Sequence, residues 1–261
     1  MTSEPEQLEP KQLIEKMPQR GIYLLPNLLT TAALFAGFYS IVAAMKGHFE
    51  VAAIAMLVAM VADGLDGRVA RLTNTQSPFG AQYDSLSDMV AFGIAPALVL
   101  YSWSLFDLGK LGWFAAFLYA AATALRLARF NIQVSDKQYF KGLPCPAAAG
   151  LVASIVWMGD GYHLSGASIA IPLAILTVLA ASFMTSRIRY YSFKSFDFRG
   201  KVPFFTVVIA VVVIAAIALE PPEILFGLFF LYLLSGPIHT LWQLRKMRKQ
   251  RLQLHPRVMK K

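Results

Sequence analysis

The chain has 261 residues, of which 57% are hydrophobic and 15% charged, and its mean hydropathy is +0.54. Soluble globular domains carry about 25% charged residues, so this composition excludes an ordinary soluble domain and indicates a protein embedded in a lipid bilayer. The single cysteine, Cys145, excludes an intramolecular disulfide and a zinc site built from several thiolates. The net charge is +9, with a basic cluster after the last apolar segment. Such a cluster beside a spanning helix favours anionic lipid headgroups, so we expect no nucleic-acid partner.

The segment before the first apolar run, residues 1–19, is polar and contains four glutamates. It lacks the basic start and the apolar core of a secretory signal, so we expect no processed leader. Its few apolar residues can share one face of a surface helix, which leaves two interpretations, a polar tail or a juxtamembrane helix. Residues 20–244 form the predicted membrane domain, and residues 245–261 form a basic cytoplasmic tail.

Apolar runs recur along the membrane domain and predict an all-α bundle of about eight transmembrane helices, since each run can cross a hydrocarbon core with some tilt. The expected spans are residues 25–45, 51–72, 80–105, 111–130, 146–158, 166–185, 203–219 and 224–244. Of the 24 lysines and arginines, only Lys46 and Lys110 fall on the side away from the termini. The positive-inside rule therefore predicts that both termini are cytoplasmic.

Four aspartates, Asp63, Asp66, Asp84 and Asp88, lie within or beside the second and third predicted spans. An ionised carboxylate there is costly unless it is paired, hydrated or bound to a cation. Spacings of three and four residues place each pair on one helical face, and the cytoplasmic turn between the spans brings both pairs to one depth. Carboxylates without histidine or cysteine form an oxygen-only site that suits Mg²⁺ or Mn²⁺. Bridging carboxylates would hold two ions at the cytoplasmic ends of helices two and three.

Two other interpretations of the four aspartates stay open. They can pair with Arg68 and Arg71 and hold helices together, although two arginines cannot neutralise four carboxylates. They can also line the cation pathway of a transporter, which would not explain the glycines interleaved with them, Gly64, Gly67 and Gly80. Glycines inside helices usually permit close approach of a backbone or a ligand.

The aspartates belong to a longer spaced pattern, which consists of Asp63, Asp66-Gly67, Ala70-Arg71, Gly80, Asp84 and Asp88. This pattern resembles the complete signature of the CDP-alcohol phosphatidyltransferases. The resemblance implies that an alcohol hydroxyl attacks the lipid-side phosphorus of CDP-diacylglycerol and that CMP leaves. It also implies that all four aspartates bind metal and that Asp88 accepts the proton of the hydroxyl, unless Asp88 is only a ligand. A homodimer in the bacterial cytoplasmic (inner) membrane is implied as well.

The same resemblance implies a set of contacts to the nucleotide and the CDP-lipid, made by Asn27, Thr30, Gly67, Ala70, Arg71 and Gly80. For Arg71 the alternative is a structural role that braces the motif. For Asn27 and Thr30 the alternative is capping of the first helix, because both residue types begin helices.

The aspartates do not specify the acceptor alcohol, so its identity must be inferred from other residues. Arg126, Arg129 and Asn131 end the fourth span on the cytoplasmic side and are the candidates for acceptor binding. The stretches 20–27, 129–131 and 142–150 resemble phosphatidylserine synthases, which implies L-serine as the acceptor. We predict that Arg129 meets the serine carboxylate through its planar guanidinium.

Three alternatives to this assignment remain. Arg126 and Arg129 can be positive-inside anchors. Sister enzymes that use glycerol phosphate or inositol phosphate are the main rivals, because an arginine pair suits a phosphate equally well. A cation transporter is the remote alternative.

Overall fold

The computed structural model describes residues 24–132, 139–191 and 204–258, so the expected N-terminal tail or juxtamembrane helix lies outside the described residues. The described residues form nine α-helices: α1 Leu24–Met45, α2 Phe49–Leu72, α3 Pro78–Asp88, α4 Ala95–Trp103, α5 Lys110–Ile132, α6 Cys145–Gly161, α7 Ala170–Thr185, α8 Phe204–Leu219 and α9 Pro221–Val258. A π-helical turn, Met89–Ile94, joins α3 to α4, and 3₁₀ turns at Leu105–Leu108 and Gly166–Ile169 precede α5 and α7.

Five helical units in the described ranges are long and apolar enough to cross a membrane: Leu24–Met45, Pro78–Trp103, Lys110–Ile132, Gly166–Thr185 and Pro221–Thr240. They confirm the predicted all-α, multi-pass membrane fold. The three other expected spans, at 51–72, 146–158 and 203–219, are also helical. However, α2 carries the charged residues of the aspartate motif, α6 has only 17 residues and α8 has only 16. The count of eight spans therefore stays a prediction.

The third expected span is not one regular helix, because Pro96 interrupts its hydrogen bonds. Proline has no N–H to donate and its ring clashes with the carbonyl four residues earlier. The chain widens into the π-turn just before Pro96, where the Ala95 N–H bonds to the Val90 carbonyl, five residues back. Asp88 is the last residue of α3, directly ahead of this turn. The irregular segment therefore begins next to the candidate site.

Close contact with α1 sets the depth of α3 and the π-turn. At Gly37 a side chain would meet Ala91 of the π-turn, with a Cβ only 2.7 Å from the Ala91 Cα. One turn from Asp84 and next to Asp88, the buried Ser87 hydroxyl donates to the Thr30 carbonyl of α1 at 3.0 Å. These contacts fix the height at which both aspartates of α3 project.

The short helix α6 lies at the centre of the bundle and packs against both α2 and α9. Every residue from Ala148 to Val156 on it is buried. Gly150 leaves space for the ring of Phe229 on α9, which a side chain at this position would fill. Through α6, the C-terminal helix α9 comes close to the part of α2 that carries the aspartates.

A feature that the sequence did not predict is a small antiparallel pair of strands, β1 Tyr139–Lys141 and β2 Arg189–Tyr191, in which Phe140 faces Tyr190. The pair joins the segments that follow α5 and α7. The Tyr190 side chain is fully buried, and its hydroxyl donates to the Leu233 carbonyl of α9 at 3.1 Å. Its ring rests against Gly236. The strand pair therefore anchors α9 to the loops at this end of the bundle.

Candidate active site

The ends of α2 and α3 bring three aspartates together. Asp63, Asp66 and Asp84 each offer one carboxylate oxygen, and these oxygens all lie within 4.8 Å of one another. A short turn at 73–77 joins α2 to α3, and the aspartates of the two helices meet beside it although they are about 20 residues apart in sequence. Oxygens around one Mg²⁺ lie roughly 3–4 Å apart, since each bond is about 2.1 Å long. Small rotations of these side chains would therefore form a divalent cation site.

Asp88 belongs to the same cluster. Its carboxyl group shares a hydrogen bond with Asp63 and experiences the charges of Asp63, Asp84 and Asp66. Two carboxyl groups form such a bond only when a proton lies between them, and a bound cation would take the place of that proton, because two like charges at this distance repel. The all-oxygen ligand set and this repulsion both fit one or two hard divalent cations.

Asp66 is the most buried of the four, with 4% of its surface exposed. The Thr30 hydroxyl of α1 donates to its Oδ2 at 2.7 Å. The charge of Arg71 also acts on it. Asp66 is therefore held from two sides, so its second oxygen keeps a defined direction toward the other carboxylates.

The cluster opens into a cavity of about 670 Å³. One side, which we call the aspartate wall, consists of Asp63, Asp66, Asp84 and Asp88. The other side, which we call the C-terminal wall, consists of Arg126, Leu127 and Phe130 of α5, Pro144, Pro146 and Ala147 at the start of α6, and Leu228, Phe229 and Tyr232 of α9. Met60, Gly64, Gly67, Arg68 and Arg71 complete the lining on α2.

The six residues expected at the nucleotide have different positions. Gly67 and Arg71 line the cavity next to each other, and a Cβ on Gly67 would lie 3.6 Å from the Arg71 guanidinium. Gly80 faces the Asn27 side chain across the contact of α3 with α1, at 3.5 Å from a Cβ to Oδ1. Thr30 supports Asp66, and Ala70 is half-buried on α2 outside the residues that line the cavity.

Among the three expected acceptor residues, the structure places only Arg126 in the lining of the cavity. Arg129 Nη2 donates to the Thr185 carbonyl at 2.9 Å, which caps the C-terminal end of α7. The Asn131 amide exchanges hydrogen bonds with the Ser85 hydroxyl at 3.1 and 3.2 Å and so ties α5 to α3.

Sequence reasoning missed most of the C-terminal wall. The prolines Pro144 and Pro146 fall in a stretch, 142–150, that the resemblance singled out, but no contact with the site was predicted for them. Leu228, Phe229 and Tyr232 were identified only as part of a span. Hydropathy marks such residues as membrane-embedded and gives no signal for which of them face a cavity.

Comparison with known proteins identifies the family of the chain. The family model of the CDP-alcohol phosphatidyltransferases matches residues 23–180. The chain is 38% identical over 233 residues to a CDP-diacylglycerol–serine O-phosphatidyltransferase of Helicobacter pylori, which covers 88% of this chain and 96% of the relative. An enzyme of the same name from Mycobacterium tuberculosis is 40% identical over 161 residues, 57% of this chain and 56% of its own. An archaetidylserine synthase of Methanothermobacter thermautotrophicus is 36% identical over 61% of this chain and 69% of its own. The chain therefore belongs to the CDP-alcohol phosphatidyltransferase family.

Proposed function

We propose that the protein transfers the phosphatidyl group of CDP-diacylglycerol to the hydroxyl of L-serine and releases CMP. The observation that carries the proposal is the cluster of four aspartates at the edge of a cavity whose other side bears the buried Arg126. The names of the relatives support serine as the acceptor, because they include both a bacterial and an archaeal enzyme that form serine lipids.

In the proposed reaction, a bond forms between the serine oxygen and the lipid-side phosphorus while the bond from that phosphorus to the CMP oxygen breaks. Asp63, Asp66, Asp84 and Asp88 would hold two Mg²⁺ or Mn²⁺ ions. The charge of these ions would stabilise the diphosphate oxygens as CMP leaves. Asp88 accepts the hydroxyl proton as charge builds on the attacking oxygen. Thr30 keeps Asp66 in place throughout.

The rest of the cavity suits the two substrates. Gly67 has no side chain and lets the diphosphate approach α2, where Arg71 is positioned to meet a phosphate oxygen. Asn27, Thr30, Ala70 and Gly80 are not among the residues that line the cavity, and we propose that they support its nucleotide side from behind, Thr30 through its hydrogen bond to Asp66. Arg126 makes the direct contact with the serine carboxylate, while Arg129 and Asn131 hold the end of α5 that carries it. The apolar side chains of Leu228 and Phe229 suit the lipid part of the donor.

We also propose that the protein lies in the cytoplasmic membrane of a bacterium with both termini inside, on the basis of its lysine and arginine distribution. Residues 245–261 then meet anionic headgroups at the inner surface. A homodimer is part of the same proposal and rests on family resemblance.

The proposal is tested by measuring the CMP that purified protein releases from CDP-diacylglycerol in mixed micelles that contain Mg²⁺ or Mn²⁺. Serine, glycerol phosphate and inositol phosphate are supplied in turn. We expect CMP with serine, complete loss in excess EDTA, and recovery when the divalent cation is returned. Release with glycerol phosphate but not with serine would assign the protein to a sister activity. Full activity in EDTA would overturn the metal site, and cation flux in proteoliposomes without any CMP would favour a transporter.

A further inference from the structure

The C-terminal wall contains a buried cation that the protein only partly satisfies. Arg126 is 9% exposed and lines the cavity. Its Nε is buried and forms no hydrogen bond with any of the described residues. A buried charge without full pairing is costly. This arrangement is therefore suited to an anionic group that arrives with a ligand in the cavity.

The Arg126 guanidinium is held by a thiol. Its Nη1 donates to Cys145 Sγ at 3.1 Å, and Cys145 is fully buried at the first turn of α6. A thiol sulfur is a weak, neutral acceptor. It can direct the guanidinium without neutralising it, whereas a carboxylate at this position would form a full ion pair. The positive charge of Arg126 thus stays available to the cavity.

The same thiol lies near the proposed proton acceptor, because the charges of both Arg126 and Asp88 act on Cys145. Tyr232 of α9 also lies within the electrostatic reach of Arg126. Its ring packs against Tyr190, with the ring centroids 5.6 Å apart. The guanidinium is therefore set between α6 and α9, and it lines the cavity from the C-terminal wall while Asp88 lines it from the aspartate wall.

We propose that Cys145 is a positioning residue that orients Arg126 for the anionic group of the acceptor alcohol. The proposal rests on the function proposed above and adds a residue outside the aspartate motif. An acceptor that bears a carboxylate near its hydroxyl then bridges Arg126 and Asp88, with the carboxylate on the guanidinium and the hydroxyl toward the donor phosphorus. Cys145 contacts neither substrate, so it acts on acceptor binding alone.

The test uses the full-length protein in mixed micelles with CDP-diacylglycerol and Mn²⁺, and compares Cys145→Ala with Cys145→Ser. A single hydrogen bond that orients a binding group is worth roughly a three- to tenfold change, so we expect Cys145→Ala to raise the serine KM by about that factor. The kcat and the CDP-diacylglycerol KM should stay within about twofold of wild type, because no group that contacts the donor is altered. Cys145→Ser retains an acceptor atom and should restore the serine KM.

Ser154→Ala is the matched control. Ser154 is fully buried on the same helix and donates to the Leu151 carbonyl, away from the cavity lining. Its loss should leave the serine KM unchanged. An unchanged serine KM in Cys145→Ala, or equal losses in the alanine and serine variants, would overturn the positioning role. If the wild type used glycerol phosphate instead of serine, the proposed acceptor would fail, and a rise of the glycerol phosphate KM in Cys145→Ala would still support the positioning role.

Discussion

The two walls of the cavity are built in different ways. The aspartate wall comes from one continuous stretch, residues 63–88, in which two helices meet at a short turn. The C-terminal wall combines α5, the start of α6 and the first third of α9, which come from three separate parts of the chain and meet only in the folded bundle. The aspartate wall carries the groups that we assign to phosphoryl transfer, a step that we expect to be common to every acceptor. The C-terminal wall carries Arg126, which we assign to acceptor binding.

From this difference we expect the reaction and the choice of acceptor to be separable in this molecule. Changes in the aspartate wall should lower turnover with every acceptor. Changes in the C-terminal wall should alter the KM for serine and spare the donor. The following variants test whether the two walls act separately.

The largest effect is expected from Asp88→Asn. The change removes the proton acceptor and one charge but almost no volume, so the fold and much of the donor affinity should remain. General base catalysis contributes about 10²- to 10⁴-fold, and kcat should fall by that factor. CMP release at saturating serine measures kcat, and binding of CDP-diacylglycerol is measured on the same preparation. Asp107→Asn removes the same charge from an exposed position outside the cavity and should have no effect. Near-normal turnover in Asp88→Asn would exclude Asp88 as the base.

A smaller and more selective effect is expected from Arg126. Arg126→Ala removes a charge-assisted hydrogen bond worth about 1.5–3 kcal/mol, so serine kcat/KM should fall roughly tenfold to hundredfold. Arg126→Lys keeps the charge without the planar pair of donors and should raise the serine KM, with little change in the CDP-diacylglycerol KM. Steady-state kinetics with each substrate varied in turn separate these effects. A parallel rise of both KM values would show that Arg126 serves the whole cavity and not the acceptor.

Much of the fold was predictable because long apolar helices have a strong signature. The first span was expected at 25–45 and is Leu24–Met45, and the sixth was expected at 166–185 and is Gly166–Thr185 once its 3₁₀ turn is included. The π-turn at Met89–Ile94 and the strand pair were not predicted. A proline such as Pro96 indicates a kink in a helix, but it does not indicate that the kink is a π-turn. Strands of three residues are too short to show the alternation of polar and apolar residues that predicts a strand.

At the site, the local part was predictable and the tertiary part was not. Helical spacing and a single turn suffice to bring Asp63 and Asp84 together. Arg126 and Arg129 are three residues apart and so lie on neighbouring faces, about 60° apart around the helix. Sequence alone does not say which neighbouring helix each face meets. In the structure Arg126 reaches Cys145 of α6, whereas Arg129 reaches Thr185 of α7.

The smallest effect distinguishes two roles for Arg129. The sequence predicts that this residue binds the serine carboxylate directly, whereas the structure uses its Nη2 to cap α7 at Thr185. Lysine can still donate to a carbonyl, so with the capping role Arg129→Lys should change the serine KM by less than about threefold. Arg129→Ala should lower the thermal unfolding temperature in micelles, because the loss of one hydrogen bond costs about 0.5–1.5 kcal/mol. Lysine should restore that stability. If Arg129→Lys instead raised the serine KM by about tenfold or more at unchanged stability, Arg129 would bind the serine carboxylate directly. A rise of that order is expected when a paired contact between a guanidinium and a carboxylate is lost.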